Sequence, residues 1–338
     1  MPQLVNGEWV KGHIAASEIK DGAFHREPTR FRSWITPNGI TPDGSPDAEG
    51  NPTLPAEAGR YHLYVSYLCP WASRTLIFRV LKGLERVIGV SVAEPVIGED
   101  GWVYAEPQVA AEGMAPFREH WHLYTASDPT YTGKVSVPVL WDRKERRIVN
   151  NESADIIRIL NSAFDGLTGN RLDLYPETLR AEIDAWNDLI YPNVNNGVYR
   201  CGFAKSQASY DEAFDSLFAT LERLEERLEL SRYLAGEFLT EADWRLFVTL
   251  VRFDSAYHGA FKCNLKRIED YPNLSNYLRE LYQWPGIRDT VNLAHIKAGY
   301  YINPAINPTL IVPKGPLLDL DRPHDRDRLP GQGIWRSD

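Results

Sequence analysis

Cys69 has the clearest chemical setting in the chain. It stands in Tyr67-Leu68-Cys69-Pro70-Trp71-Ala72-Ser73, between a β-branched and aromatic run from His62 to Tyr67 and a segment, Arg74 to Leu84, that carries Leu76, Ile77, Val80 and Leu81. The first reads as a strand and the second as a helix with one buried face. Pro70 suits a first helical turn, where its missing N–H is not needed. A cysteine at such a junction meets unpaired backbone N–H groups and the positive end of a helix dipole. Both lower a thiol pKa and favour the nucleophilic thiolate. Ala72 occupies the place of the second cysteine in a Cys-X-X-Cys pair. The chemistry predicted is therefore monothiol: a mixed disulfide forms on Cys69 and an external thiol opens it. A buried structural cysteine is the competing reading.

The rest of the composition narrows the class. At 338 residues the chain suits about two domains, and 43% hydrophobic with 25% charged residues describes a globular protein. A net charge of −9, with no basic, aromatic-laced stretch, argues against a nucleic-acid surface. Cys69, Cys201 and Cys263 lie far apart, in neither a metal spacing nor a disulfide framework, and the histidines form no ligand pattern. No metal is expected, and a reducing compartment is. No apolar run is long enough for a bilayer, and the first residues lack the basic and apolar regions of a signal peptide, so the expected address is the cytoplasm.

The elements that must position Cys69 follow in order. Residues 1–59 read as an extended arm pinned by Trp9, Phe24, Phe31 and Trp34, with turn signals at Pro37-Asn38-Gly39 and Pro42-Asp43-Gly44. Within 60–165, the first strand and helix are followed by a strand at 87–92, a loop over 94–116 and a short helix carrying Phe117, Arg118 and Trp121. Strands at 135–141 and 147–149 follow, and then a helix opened by Asn151-Glu152-Ser153. This order resembles the βαβ–ββα of a thioredoxin-like domain. After a linker the strand signal nearly vanishes. An all-helical domain is predicted over 172–312, with helices at 177–190, 207–229, about 273–283 and 287–299. The second shows Phe214, Leu217, Phe218, Leu221, Leu224 and Leu228 on one face. Thr240 and Asp243 make a capping box for a further helix. Prolines from Pro304 to Pro316 end regular structure, and 313–338 reads as a tail of mixed charge.

A thioredoxin-like domain joined to an all-helical one resembles the cytosolic glutathione transferases. Several strings carry a closer likeness: Cys69-Pro70-Trp71-Ala72, Val137 to Asp142, Ile148 to Ser153, Glu241 to Phe247, Arg252-Phe253-Asp254 and Tyr271 to Leu274. They are similar to those of the Xi class, the glutathionyl-hydroquinone reductases. That resemblance implies reductive removal of glutathione from glutathionyl-hydroquinones, with glutathione as co-substrate and a homodimer built through the helical domains. Two rivals remain: an Omega-like thioltransferase or dehydroascorbate reductase, and a non-enzymatic transferase-fold interaction module.

The resemblance also distributes roles. Glu152 and Ser153 would hold the γ-glutamyl end of glutathione, using the N–H groups of a helix start, although the same residues suit a helix cap. Val137, before a proline that the fold implies to be cis, would present its backbone to the cysteinyl part. Trp102 and Arg118 match the remaining glutathione contacts, and Arg118 suits a pair with the glycyl carboxylate. Tyr199 and Tyr300 are the expected catalytic phenols and Tyr257 a further contact to the quinol ring, because phenols both stack and donate protons. Gly299 departs from the family, which carries a histidine there.

Overall fold

A computed structural model describes residues 3–11, 18–40 and 53–336. The turn expected at Pro42-Asp43-Gly44 lies outside them. The described residues fall into two compact units, one drawn from 1–14 and 28–171 and the other from 15–27 and 172–338. Residues of the expected arm thus belong to both.

The first unit is built on a four-stranded sheet. Its strands are β1 (Tyr61–Val65), β2 (Gly89–Val92), then, beyond a separate hairpin of β3 (Val103–Gln108) and β4 (Phe117–Glu119), β5 (Val139–Asp142) and β6 (Arg147–Asn150). The sheet order is β6-β5-β1-β2, with β1 and β2 parallel and the other pairs antiparallel. Gly89 faces His62 across the parallel pair, and a Cβ there would lie 2.5 Å from the imidazole Nδ1, so only glycine permits the approach. Helices α1 (Pro70–Leu81), α2 (Trp121–Ser127) and α3 (Ser153–Ser162) belong to the same unit, with α1 packed on α3. Leu63, Val65, Ile77, Val139, Leu140, Ile156 and Leu160 are buried. Each such side chain contributes about 1.5–3 kcal/mol by leaving water. At the edge of this core Arg60 forks onto Asp142, with Nη2 2.6 Å from the carboxylate.

Two expectations change here. Residues 103–108 form a strand inside the stretch read as loop, and Arg118 lies on β4 rather than on the short helix, which begins at Trp121. The polar residues Glu106 and Gln108 hid the strand, because a hairpin with one wet face needs few apolar residues. The arm contributes a hairpin of Gln3–Val5 and Glu8–Val10 through Asn6-Gly7, both at positive φ as a tight hairpin turn requires. Its aromatics do pin it: Trp9 stacks on Trp121 with ring centroids 5.9 Å apart, and Phe31 on Tyr131 at 5.6 Å.

The second unit is helical: α4 (Arg180–Ile190), α5 (Gly197–Phe203), α6 (Gln207–Leu230), α7 (Glu241–Arg252), α8 (Pro272–Tyr282) and α9 (Leu293–Tyr301). Helix α6 buries Leu217, Phe218, Leu221, Leu224 and Leu228, the predicted stripe, while Phe214 is half-buried. The capping box that starts α7 is present, with Asp243 accepting from the Thr240 N–H at 2.8 Å. Asp243 also accepts from the Leu234 N–H and the Tyr277 hydroxyl, so one buried carboxylate ties three segments together. Glu225 caps α8 through the N–H groups of Asn273 and Leu274, both at 2.8 Å. Two π-helical turns, Tyr191–Asn195 and Phe253–Tyr257, interrupt the helical count.

The region read as an irregular tail is partly regular. Gly333–Ile334 pairs in parallel with Phe238–Leu239. Buried Arg326 donates to the carbonyls of Leu228, Ser231 and Arg232 at 2.5–2.7 Å, where α6 ends and its carbonyls lack helical partners.

Candidate functional site

Cys69 is the N-cap of α1, with extended backbone (φ −79°, ψ 119°) and Pro70 in the first helical position. The turn forms because Ser66 accepts from the Cys69 N–H at 3.1 Å, while Ser73 returns both its N–H and its hydroxyl to the Cys69 carbonyl. Cys69 is 9% exposed as a residue, and its thiol donates to the Val137 carbonyl at 3.5 Å. The Val137-Pro138 bond is cis. One turn into α1, the buried Arg74 guanidinium lies 4.6 Å from the Trp71 ring. The strand-turn-helix read from the sequence thus sets one cysteine against the backbone of one residue, Val137.

That residue is held from behind. The carbonyl of Ser136, next to Val137, accepts from His120 Nε2 at 3.1 Å and from the Tyr124 hydroxyl at 2.8 Å. The other His120 nitrogen, Nδ1, meets the Tyr104 hydroxyl at 2.6 Å, and Tyr124 accepts from the Asn151 amide at 3.2 Å. A carbonyl only accepts, so Nε2 carries a proton. Burial pushes the His120 pKa down to about 4, which leaves the ring neutral near pH 7. Sequence reasoning passed over His120 and Tyr124, whose partners lie far along the chain.

At the start of α3, Glu152 is the N-cap. It accepts from the Ala154 N–H at 3.2 Å and from the Thr29 hydroxyl at 3.2 Å. The Ser153 hydroxyl is buried and has no hydrogen-bond partner among the described residues. A buried hydroxyl in that state costs about 1–3 kcal/mol unless a ligand satisfies it. Helix-start N–H groups, an anion and an orphaned hydroxyl suit an amino-acid end that bears both charges. Trp102 is buried before β3, where its carbonyl accepts from the His120 N–H at 2.9 Å. Arg118 is about half exposed and lies 3.9 Å from Glu106.

In the helical unit the three tyrosines converge. The Tyr300 hydroxyl lies 2.6 Å from that of Tyr199 and 3.0 Å from that of Tyr257. Tyr257 and Tyr300 are buried and burial raises both phenol pKa values well above 10, so they act as phenols rather than phenolates. Phe24, Phe203 and Phe261 surround the Tyr199 ring, and the Arg26 guanidinium sits 5.2 Å from it. Arg26 also donates to Asn196 at 3.3 Å. Phe24 was legible as a pinning aromatic, whereas nothing in the sequence distinguished Arg26 from any other solvated cation. Among the described residues no group of three or more His, Cys, Asp or Glu is placed to hold a metal, and no helix is long and apolar enough to cross a membrane.

Comparison with known proteins places this arrangement. Residues 68–163 match the glutathione S-transferase N-terminal domain, and 207–280 the C-terminal domain. The glutathionyl-hydroquinone reductase YqjG of Escherichia coli K12 is 49% identical, over 97% of this chain and 99% of its own length. PcpF of Sphingobium chlorophenolicum, of the same description, is 53% identical over 95% of this chain and 98% of its own. Among solved structures, the glutathione-bound YqjG superposes with a TM-score of 0.84 at 47% identity, covering 96% of this chain and 99% of that one. The Xi-class GST of Natrialba magadii gives 0.85 at 44%, covering 98% of both. The chain belongs to the glutathione transferase family, in the Xi class of glutathionyl-hydroquinone reductases.

Proposed function

We propose that the chain is a glutathione-dependent reductase that strips glutathione from glutathionyl-hydroquinones. The observation that carries this reading is the monothiol: Cys69 caps α1, touches the Val137 carbonyl and has Ala72 in place of a resolving cysteine. The Cys69 thiolate attacks the sulfur of the ring-bound thioether. The carbon–sulfur bond breaks, its electron pair stays on the ring carbon and a proton joins it, giving free hydroquinone and Cys69–S–SG. A second glutathione then attacks the outer sulfur as its thiolate. Oxidised glutathione leaves, the electron pair returns to the Cys69 sulfur, and no second cysteine is needed.

Glutathione is held through Glu152, Ser153 and the helix start at its γ-glutamyl end, through the Val137 backbone at its cysteinyl part, and through Trp102 and Arg118 towards its glycyl end. Tyr199 and Tyr300 supply the proton and hydrogen bonds to the quinol ring, with Tyr257 as a further contact. The protein works as a homodimer through the helical unit; a sedimentation mass of one chain would remove that assignment. Its three cysteines are free, which supports a reducing compartment, the cytoplasm.

The test is turnover of glutathionyl-menadiol with glutathione. Cys69→Ala abolishes release of free quinol, and mass spectrometry after one substrate equivalent finds a single glutathione adduct on Cys69. An adduct mainly on Cys201 or Cys263 sinks the mechanism. A relative from Schizosaccharomyces pombe, described as glutathione S-transferase omega-like 2 and 41% identical, favours a second reading as thioltransferase. Faster turnover of glutathionyl mixed disulfides than of glutathionyl-hydroquinones would select it.

A further inference from the structure

Arg279, in α8, is a buried cation whose hydrogen-bond partners are all neutral. The residue is 5% exposed; its Nη1 donates to the Ser275 hydroxyl at 3.0 Å and its Nη2 to the Asn276 side-chain carbonyl at 2.7 Å. Among the described residues its buried Nε has no hydrogen-bond partner, and no carboxylate stands within salt-bridge distance of the guanidinium. Other arginines of this unit differ: Arg267 holds Asp270 at 2.6 Å, Arg322 holds Glu269 at 2.7 Å, and buried Arg326 lies 3.8 Å from Glu280. Burying an unpaired ion is strongly unfavourable, and a guanidinium does not escape by losing its proton. Burial and the Arg322 charge pull the Arg279 pKa down, against the opposing pull of Glu269, Asp325 and Asp319.

Beside this cation the helical unit encloses a cavity of about 170 Å³, bordered by α7, α8, the turn at Ile268–Asp270 and the chain over 316–322. That volume takes a small anion with several waters. Arg267, Arg279, Arg322 and Ser275 all line it. Three acids line it as well, and each is occupied or turned to solvent. Asp254 accepts from the N–H groups of Ile268 and Glu269 at 2.6 and 3.2 Å, Glu269 holds Arg322, and Asp319 is exposed. Arg267 and Arg322 keep donors to spare, since a guanidinium has five N–H groups and their carboxylate partners engage only some of them. We propose that this cavity is a binding site for one small tetrahedral oxyanion of the phosphate or sulfate type, held by Arg279 with Arg267 and Arg322. Arginines from three segments suit an anion with acceptor oxygens on every side, whereas a planar carboxylate offers one edge to one fork. The bound anion supplies the counter-charge that Arg279 lacks and joins α8 to the chain over 316–322, so it stabilises the folded state alone.

The test titrates the full chain with sodium phosphate and, separately, with sodium sulfate, at an ionic strength held constant with chloride. Binding is read by isothermal calorimetry and by Tm. One saturable site per chain is expected, with Tm rising along the same isotherm. Arg279→Met keeps most of the buried stem and removes the charge, and should weaken phosphate binding by roughly ten-fold or more. Arg322→Gln alters an exposed side chain, so it keeps the test available should Arg279→Met not fold; it should weaken binding by a smaller factor. A Tm that climbs without saturation, equally in the wild type and the variants, is the general effect of such salts on protein surfaces and overturns the proposal. Saturable binding that both variants retain unchanged places the anion elsewhere and overturns it too, as does the lack of any saturable signal.

Discussion

Tyr300 shares one hydroxyl with two neighbours, at 2.6 and 3.0 Å, and has a single proton to give. At least one neighbour must therefore donate to it. Burial keeps Tyr257 and Tyr300 in the acid form near neutral pH, which is the form that delivers a proton to a departing ring carbon. Tyr300→Phe and Tyr199→Phe should slow quinol release by roughly 10²-fold where the phenol acts as general acid, and far less where it only stacks. Thiol exchange of Cys69 with hydroxyethyl disulfide should be unchanged, and stopped-flow absorbance separates the two rates. Normal turnover in both single variants and in the double variant would remove these phenols from the mechanism. Cys69 was legible in the sequence because its signal is local: strand, proline and helix all lie within a few residues of it. The phenols were legible only through the family's motifs, since 17 tyrosines are present and only tertiary packing brings these three together.

At the scale of elements, the turn before β5 depends on a buried neutral histidine. His120 holds the Ser136 carbonyl on one side and meets Tyr104 on the other, and its pKa falls to about 4 through burial. In the unfolded chain the same ring titrates near 6.5. Between these values the unfolded state binds the extra proton. His120 therefore contributes its full stabilisation above pH 6.5, loses it as pH falls towards 4, and changes little below that. The advantage of the wild type over His120→Phe, read from urea unfolding, should shrink by about 3 kcal/mol across that window. A pH-independent difference would mean that the imidazole is not held neutral. Elements with strong periodicity were readable: β1, α1, α6 and the capped α7 appear within a few residues of expectation. The π-helical turns at Tyr191–Asn195 and Phe253–Tyr257 were not, because one inserted residue breaks the 3.6-residue count that reveals a helix. Helix α5, only seven residues between one such turn and α6, offered too little length to read.

For the molecule as a whole, the change from alternating strands and helices to helices alone was visible in composition. The return of the last residues was not. Arg326 looks like any tail cation in sequence, yet it is fully buried against three carbonyls at the end of α6. Arg326→Ala should cost about 3 kcal/mol, because charge-assisted hydrogen bonds disappear and buried carbonyls lose their donor. For a unit of this size that lowers Tm by roughly 6–12 °C in calorimetry. A change under about 2 °C would reduce the tail to a surface strap.

The second unit draws on residues near both ends of the chain, and the Gly22 carbonyl accepts from the Lys205 N–H at 2.9 Å. This has a consequence for biosynthesis. A ribosome adds about 5–20 residues per second, so the segment around Gly22 waits roughly ten to forty seconds for its partner to be made. During that interval Phe24 and Arg26 have no α5 to meet, while residues 28–171 are completed and can fold. The helical unit thus closes around a piece of chain synthesised before the whole of the first unit's sheet, and slowing translation between 171 and 205 would lengthen the exposure of that piece to chaperones and proteases.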